Sequence, residues 1–409
     1  MVSFLFGSGA DTEANERLVS GQGFAEGLLQ NKYREEIKNI TGIDTINYKL
    51  LYSNSTKIFV QTIAEHREDA EKALVDKETV EKFVQYYEKG DRGEKEFIQK
   101  VSYKDDIARK CKGWHDKIMN VENKDDKVKK FFLENAVFFD SLDGKFNSLR
   151  KLPYNSNAKR VINAYLTVFL FMLEAIYNIQ EFQLSYESIY DKLNQPYDIE
   201  LKGETYYTLL KDSRLDYGII TTNYTDIVHM QTREKDITYL YGKLTWFEDL
   251  ENLTIYDCTV EKEKKKLLQA KNVVPFILIP SGVKPLVCRK QIEQFSDFIK
   301  KLDDSKYLVV VGYKFNSEDN HINSIIADWL RKKENKLIYL NYNNEVTFDQ
   351  FPWLKDKFSV ETLENPDEAE TLLTAGKISD IHVNEENCLA IFEKLLQELL
   401  EVTNGNIQM

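Results

Sequence analysis

Cysteine is scarce and scattered in this chain: four in 409 residues, at Cys111, Cys258, Cys288 and Cys388. None pairs at the short spacing of a zinc half-site, so a cysteine-built zinc module is excluded and no metal is expected. Basic charge is also in deficit. A formal net charge of −12 opposes wholesale wrapping of DNA or RNA, which rests on a basic surface, and no direct nucleic-acid binding is expected. The lysines within Glu261–Lys266 read as the solvated face of a helix. Long apolar runs are missing as well. The strongest, Val161–Tyr177, is interrupted by Asn163 and Glu174 and falls short of the ~20 residues of a spanning helix, so it reads as a buried core helix. Met1 leads straight into a short apolar run with no basic stretch before it; no secretory signal and a cytoplasmic location are expected. No Pro/Gly/Ser-rich tract marks a long disordered linker, and neither a P-loop G-x-x-x-x-G-K-[ST] nor a nuclease motif is present.

What is there is enough chain for two lobes and at least one large core. Val2–Phe6, Tyr217–Thr222, Thr238–Tyr241, Val274–Pro280, Tyr307–Gly312 and Lys336–Asn341 are short apolar runs of the kind that buried parallel strands show. They predict an α/β fold with a Rossmann-like parallel sheet assembled from residues 1–30 and 205–345. Residues 31–204, with helical spacing in Val128–Leu142 and Ala158–Phe182, read as a large helical insertion. A C-terminal region, 346–409, ends in an amphipathic helix over Asn387–Val402 whose apolar stripe includes Leu389, Phe392, Leu395, Leu396 and Leu399.

In an open parallel sheet, ligands bind outside the carboxyl ends of the strands. The residues just after each run are therefore the candidates. The first run ends in Gly7-Ser8-Gly9-Ala10-Asp11, a glycine turn of the kind that opens dinucleotide-binding domains and lets phosphate oxygens approach backbone amides. The second ends in Thr221-Thr222-Asn223-Tyr224-Thr225-Asp226 and the third in Tyr241-Gly242. Later runs end in Pro280-Ser281-Gly282, in Gly312-Tyr313-Lys314-Phe315-Asn316, and in Asn341-Tyr342-Asn343. Each position also has a purely structural reading. Asn223 fits an Asx-turn or a helix cap, Asp11 an N-cap, and His321 a helix start; Ser281, Gly282, Gly312 and Asn341 fit plain turns.

Taken together these strings resemble the SIR2-like (sirtuin-fold) family. Its glycine-rich opening is matched by Gly7-Ser8-Gly9, its T-x-N-x-D turn by Thr221 to Asp226, and its histidine-glycine turn approximately by Tyr241-Gly242. Gly312-Tyr313-Lys314-Phe315-Asn316 followed by Asp319-Asn320-His321-Ile322-Asn323 is similar to the G-Y-S-F-x-D-x-H-I-N segment of a prokaryotic branch often found in antiviral defence. The resemblance covers the sheet-forming parts. It departs from the protein-deacylating members in having no cysteine pairs, and Tyr241 stands where the family has its catalytic histidine.

The resemblance implies a NAD glycohydrolase that depletes NAD, to nicotinamide and ADP-ribose, in antiphage defence by abortive infection. Asn223, Tyr241 and Asp226 would be the catalytic residues. Gly7, Ser8, Gly9, Ala10, Asp11, Thr222, Gly242, Ser281, Gly282, Gly312, Tyr313, His321 and Asn341 would bind NAD, the substrate, with no metal. It further implies a homo-oligomer, a sensor partner such as a HerA-like ATPase or an Argonaute-like protein, or both. Chemically, nicotinamide leaves as a neutral group and needs no general acid; what the oxocarbenium-like sugar needs is a polar oxygen and a held water, which an asparagine amide supplies. A tyrosine of ordinary pKa about 10 is a poor base near neutrality. The competing expectations are a catalytically impaired module that binds NAD or ADP-ribose as a signal or structural ligand within a defence complex, and a structural subunit.

Overall fold

The computed structural model describes residues 1–18, 33–41, 156–178, 185–249, 252, 254–270, 273–278, 289–316, 319–348 and 351–405. The chain opens with β1 (Val2–Phe6), buried along its whole length, which Gly7 joins to the short helix α1 (Ser8–Ala14). The elements described next are α2 (Arg34–Thr41), α3 (Ser156–Tyr177) and α4 (Tyr186–Leu193). The helix expected at Val128–Leu142 lies outside the described residues. In α3, Leu166, Phe169, Leu170, Leu173 and Ile176 are fully buried, so the apolar run Val161–Tyr177 serves the core. Among the described residues no helix is long and apolar enough to cross a membrane.

Helix α5 (Tyr206–Asp212) begins at a reciprocal cap: the Thr205 hydroxyl accepts from the Thr208 amide, and the Thr208 hydroxyl accepts from the Thr205 amide. Two amides that a helix start leaves open are thereby satisfied, and the direction of Tyr207 is set. The chain continues through β2 (Tyr217–Thr221), α6 (Ile227–Thr232), β3 (Ile237–Tyr239), β4 (Gly242–Asp249), β5 (Thr254–Asp257), α7 (Glu261–Leu267) and β6 (Val273–Ile277). After these come α8 (Arg289–Asp303), β7 (Tyr307–Val311), α9 (Asn320–Leu330), β8 (Lys336–Tyr342), α10 (Pro352–Lys355), β9 (Val360–Leu363), β10 (Ile378–Val383) and α11 (Cys388–Thr403).

Seven strands form one sheet in the order β3-β2-β1-β7-β8-β10-β9, with every neighbouring pair parallel. β1 is central: Val2 to Phe6 pair with Tyr217 to Thr221 on one side and with Tyr307 to Val311 on the other. The chain builds outward from β1 to β3, then returns to the free edge of β1 at β7. This reversal falls at the carboxyl ends of β1 and β7, the place where doubly wound sheets as a class take their ligands. The result is a mostly parallel, Rossmann-like sheet flanked by a substantial helical region.

Two strand expectations are corrected. The run Val274–Pro280 supplies β6, which belongs not to the parallel sheet but to a separate antiparallel one, β5-β4-β6. All five residues of β6 are buried, and an apolar run reports burial without saying which sheet buries it. The parallel sheet also runs past residue 345, because β10 pairs with β8 and β9 with β10. Helix α11 lays Ile391, Phe392, Leu395, Leu396 and Leu399 into the core, and the Phe392 ring meets Phe4 of β1 edge-on at 6.0 Å.

Candidate functional site

The glycine turn after β1 and the turn after β7 lie against each other. A Cβ on Gly7 would sit 2.3 Å from the Gly312 carbonyl oxygen, and one on Gly312, whose φ is +68°, would sit 2.4 Å from the Ala10 nitrogen. Only glycine fits either place. The amides there are used within the protein: Gly7 N–H donates to Val311 O, Gly9 N–H to Gly312 O, and Ala10 N–H to Gly7 O. Ser8 and Gly9 are more open to solvent than the buried Gly7 and Ala10. The glycines thus bring two backbones together at the carboxyl ends of β1 and β7, and those three amides are not open to a phosphate.

Behind this turn sits Asp11, 5% exposed. It does not cap α1, whose N-cap is Gly7 without a side-chain bond. Its carboxylate accepts from the hydroxyls of Tyr207 on α5 and Thr225 after β2. Burial pushes the Asp11 pKa up to about 6, against the lowering effect of the Thr225 and Tyr207 hydroxyls and of the neighbouring Asn223 amide. The Tyr207 ring packs edge-on to Phe6 at 4.9 Å. Asn223, 7% exposed, donates from Nδ2 to Gly7 O at 3.0 Å, while its own amide N–H reaches Thr221 Oγ1 at 3.0 Å. Thr222 N–H donates to Phe6 O. The turns after β1 and β2 are therefore locked to each other through Asn223 and Asp11.

Asp226, half-buried at the start of α6, takes the Tyr239 hydroxyl at 2.5 Å and the Lys243 ammonium at 3.0 Å, and its amide donates to the Tyr197 hydroxyl. It stands beside the Asp11 cluster as the anchor of its own loop. Tyr241 is buried. Burial first, then Tyr313 and Asp319 beside it, hold its hydroxyl well above the ordinary tyrosine range, which suits it to donate a hydrogen bond and not to take a proton. Its ring lies 6.3 Å from that of His321, which packs on Phe295 at 5.1 Å. Gly242 follows with φ +83°, where a Cβ would sit 2.2 Å from Phe276 O. Tyr313 donates to Asn323 Oδ1 at 3.2 Å, and Asn323 Nδ2 to Asn316 O at 2.9 Å, which ties the turn after β7 to α9.

The fold brings together Gly7 to Asp11, Thr222, Asn223, Asp226 and Gly312, with Tyr241, Tyr313 and His321 forming a neighbouring wall. Asn341 is not among them. Its amide is spent on Val346 and on Asp380 of β10, and it stiffens the end of β8. Ser281 and Gly282 lie outside the described residues. Tyr207, Tyr197 and Tyr239 are not foreseen as parts of the site, and Thr225, Lys243, Asp319 and Asn323 stand in or beside the quoted strings without a role of their own. Counting from Asn223, T-x-N-x-D places its acid at position 225, where this chain has threonine; the carboxylate found there is that of Asp11. Among the described residues no three His, Cys, Asp or Glu side chains gather as metal ligands.

No family model and no curated protein matches the chain. Among solved structures it is similar to Sir2Af2 bound to a myristoylated histone peptide, at 15% identity over 53% of this chain and 80% of that one, with a TM-score of 0.30. It is also similar to a Sir2 enzyme described for its mechanism and regulation, at 14% identity over 48% and 71% and a TM-score of 0.29. A third is a Sir2 histidine-to-tyrosine mutant with a p53 peptide and NAD, at 16% identity over 47% and 69% and a TM-score of 0.27. These likenesses are to Sir2 proteins at large and single out no defence branch. At such scores they carry no argument, and the fold rests on its strand order.

Proposed function

We propose that the carboxyl ends of β1, β2 and β7 hold an NAD site and that the chain cleaves NAD to nicotinamide and ADP-ribose. The observation that supports this most is the meeting, at the point where strand order reverses, of the Gly7 and Gly312 turns with the buried amide of Asn223. Nδ2 of Asn223 faces Gly7; its carbonyl oxygen is the other end of the same planar amide. In this reading that oxygen accepts a hydrogen bond from a water near the anomeric carbon. The C–N bond breaks, its electron pair leaves with neutral nicotinamide, the water oxygen bonds to the sugar, and the surplus proton passes to solvent. No general acid is called for, consistent with a Tyr241 hydroxyl held far above the neutral range. Asp226, braced by Lys243 and Tyr239, holds the loop that presents Asn223. Within antiphage defence, such depletion of NAD would be switched by self-association or by a sensor partner such as a HerA-like ATPase or an Argonaute-like protein.

The binding-module reading has an observation in its favour too: the Gly7, Gly9 and Ala10 amides are already taken, so the turn gives a pyrophosphate less than an open glycine cradle does. Nicotinamide release from NAD separates the two. Cleavage by the wild-type chain that is lost in Asn223→Ala supports the enzyme; tight NAD or ADP-ribose binding without release supports the module.

A further inference from the structure

We propose that the outward face of helix α8 is the surface on which two copies of this chain pair, laid antiparallel about a two-fold axis beside Ser296. Helix α8 turns Phe295, Phe298 and Leu302 into the core. It also seals the β3 edge of the parallel sheet, where Gln294 accepts from the Tyr239 amide at 2.7 Å and Asp297 from the Thr238 hydroxyl. A helix so anchored has no need of apolar side chains on its outer side. Yet Ile292 is 56% exposed, the most exposed large apolar side chain among the described residues, and Ile299 is 44% exposed. Their separation in sequence is close to two full turns, so the two lie in one line along the helix. Ser296 stands between them, exposed as well, and is small enough to let a second helix approach closely.

The charges beside this line decide what covers it. Glu293 and Lys300 each follow one of the two isoleucines, and both are exposed. A second copy related by a half-turn brings its Ile299 against Ile292 and its Lys300 toward Glu293, and the same contacts recur with the copies exchanged. A parallel copy would instead set Glu293 beside Glu293 and Lys300 beside Lys300, which repels. Within one chain Glu293 pairs with Arg289, an exposed pair on successive turns that costs little to exchange. One pair of helices this short covers less than the roughly 1,200 Å² at which stable interfaces begin, so the dimer forms and dissociates with concentration. On its inner side the same helix presses Phe295 on His321 at 5.1 Å, and the His321 ring lies 6.3 Å from that of Tyr241. The pairing surface is therefore one helix away from the wall of the candidate site. It gives the self-association in the proposed function a place, and rests on that reading only for this link.

Sedimentation velocity on the full chain from about 1 µM to about 200 µM, a span suited to an interface of that size, tests this. Wild type should pass from 47.9 kDa toward twice that mass. Ile292→Glu combined with Ile299→Glu should stay at the single-chain mass throughout, with circular dichroism and melting temperature unchanged. Glu293→Lys or Lys300→Glu alone should weaken the dimer about tenfold, and the two together should restore it to within about threefold, because each copy then presents the exchanged signs. A folding defect does not produce such a rescue. A wild-type chain that stays monomeric overturns the proposal and leaves the face to a different protein. Association that survives the isoleucine changes overturns it too, as does a double exchange as weak as either single one. Nicotinamide release is measured separately. A dimer that behaves as described but cleaves no NAD removes the proposed activity and leaves the interface, and cleavage by a chain that never pairs does the reverse.

Discussion

The parallel sheet carries two buried polar clusters built on opposite rules. Near its amino-terminal end, Lys301 is 5% exposed, yet its ammonium donates to Thr238 at 2.8 Å, to Asp297 at 2.7 Å and to Asp236 at 3.1 Å. Burial acts to raise the Asp297 pKa, but bonds from Lys301 and Thr238 hold it below its ordinary value. Here charge meets countercharge. At the carboxyl end, Asp11 is equally buried, and among the described residues its carboxylate accepts from two hydroxyls and meets no cation. A buried ion with a well-placed partner is a structural arrangement. One left with neutral partners is driven toward protonation and weakens the native state, and such costs persist where chemistry requires them. In the proposed NAD site Asp11 would serve the chemistry, whereas Lys301 sits in a charge-paired cluster of the fold.

The largest expected effect bears on the carboxyl-end cluster. Asn223→Ala should reduce nicotinamide release by about 10²–10³-fold while NAD affinity changes little, since an interaction made mainly in the transition state lowers turnover more than binding. Comparable activity in the variant would make Asn223 a turn residue and nothing more. Next, Lys301→Met strands Asp297 and should cost about 3 kcal/mol of stability in urea unfolding, without moving any pH midpoint of activity. A shift in that midpoint would mean the two clusters are coupled.

Asp11→Asn should go the other way. The folded carboxyl, near 6, lies above the unfolded value of 3.8. Between those values the native state holds the proton that the unfolded chain releases, so this group's contribution falls as pH rises through the window and its full penalty is present above 6. A step from 3.8 to about 6, at about 1.4 kcal/mol per unit, amounts to about 3 kcal/mol as an upper bound. Asp11→Asn should therefore be more stable than wild type at pH 7.5 by up to that amount and equal to it near pH 3.5, which thermal unfolding across pH checks. A variant less stable at pH 7.5 would place Asp11 with the structural cluster. The smallest effect belongs to the wall: Tyr241→Phe should alter turnover by less than about threefold and leave the pH profile unchanged, since its hydroxyl stays protonated throughout. An altered acid limb would bring Tyr241 into the proton chemistry.

The central strands were legible because strands buried on both faces leave continuous apolar runs, as in Val2–Phe6 and Tyr307–Val311. β10 was not, since it buries Ser379 and Asp380 among its apolar residues, and β9 was not, since it is largely exposed. The assignment of β6 failed for the reverse reason: its apolar run is real, but its partner is β4. Turn residues such as Asn223 and Gly312 were legible from strand-then-turn order. Their bracing was not. Tyr207 lies on a helix beside Tyr206, both buried, and an aromatic pair there reads as core; only the fold sets its hydroxyl against Asp11. For the same reason, the sequence shows an amide that does not titrate but not the carboxyl of Asp11 behind it, which burial raises to about 6.

The most direct measurement is nicotinamide release. Purified wild-type chain, as separate oligomeric fractions and with candidate partners, is incubated with NAD at pH 7.5, and nicotinamide and ADP-ribose are quantified beside Asn223→Ala. The account predicts equal amounts of both products from at least one wild-type form and none above background from the variant. NAD that binds every form of the wild-type chain and is recovered intact would contradict it and leave a binding module in its place.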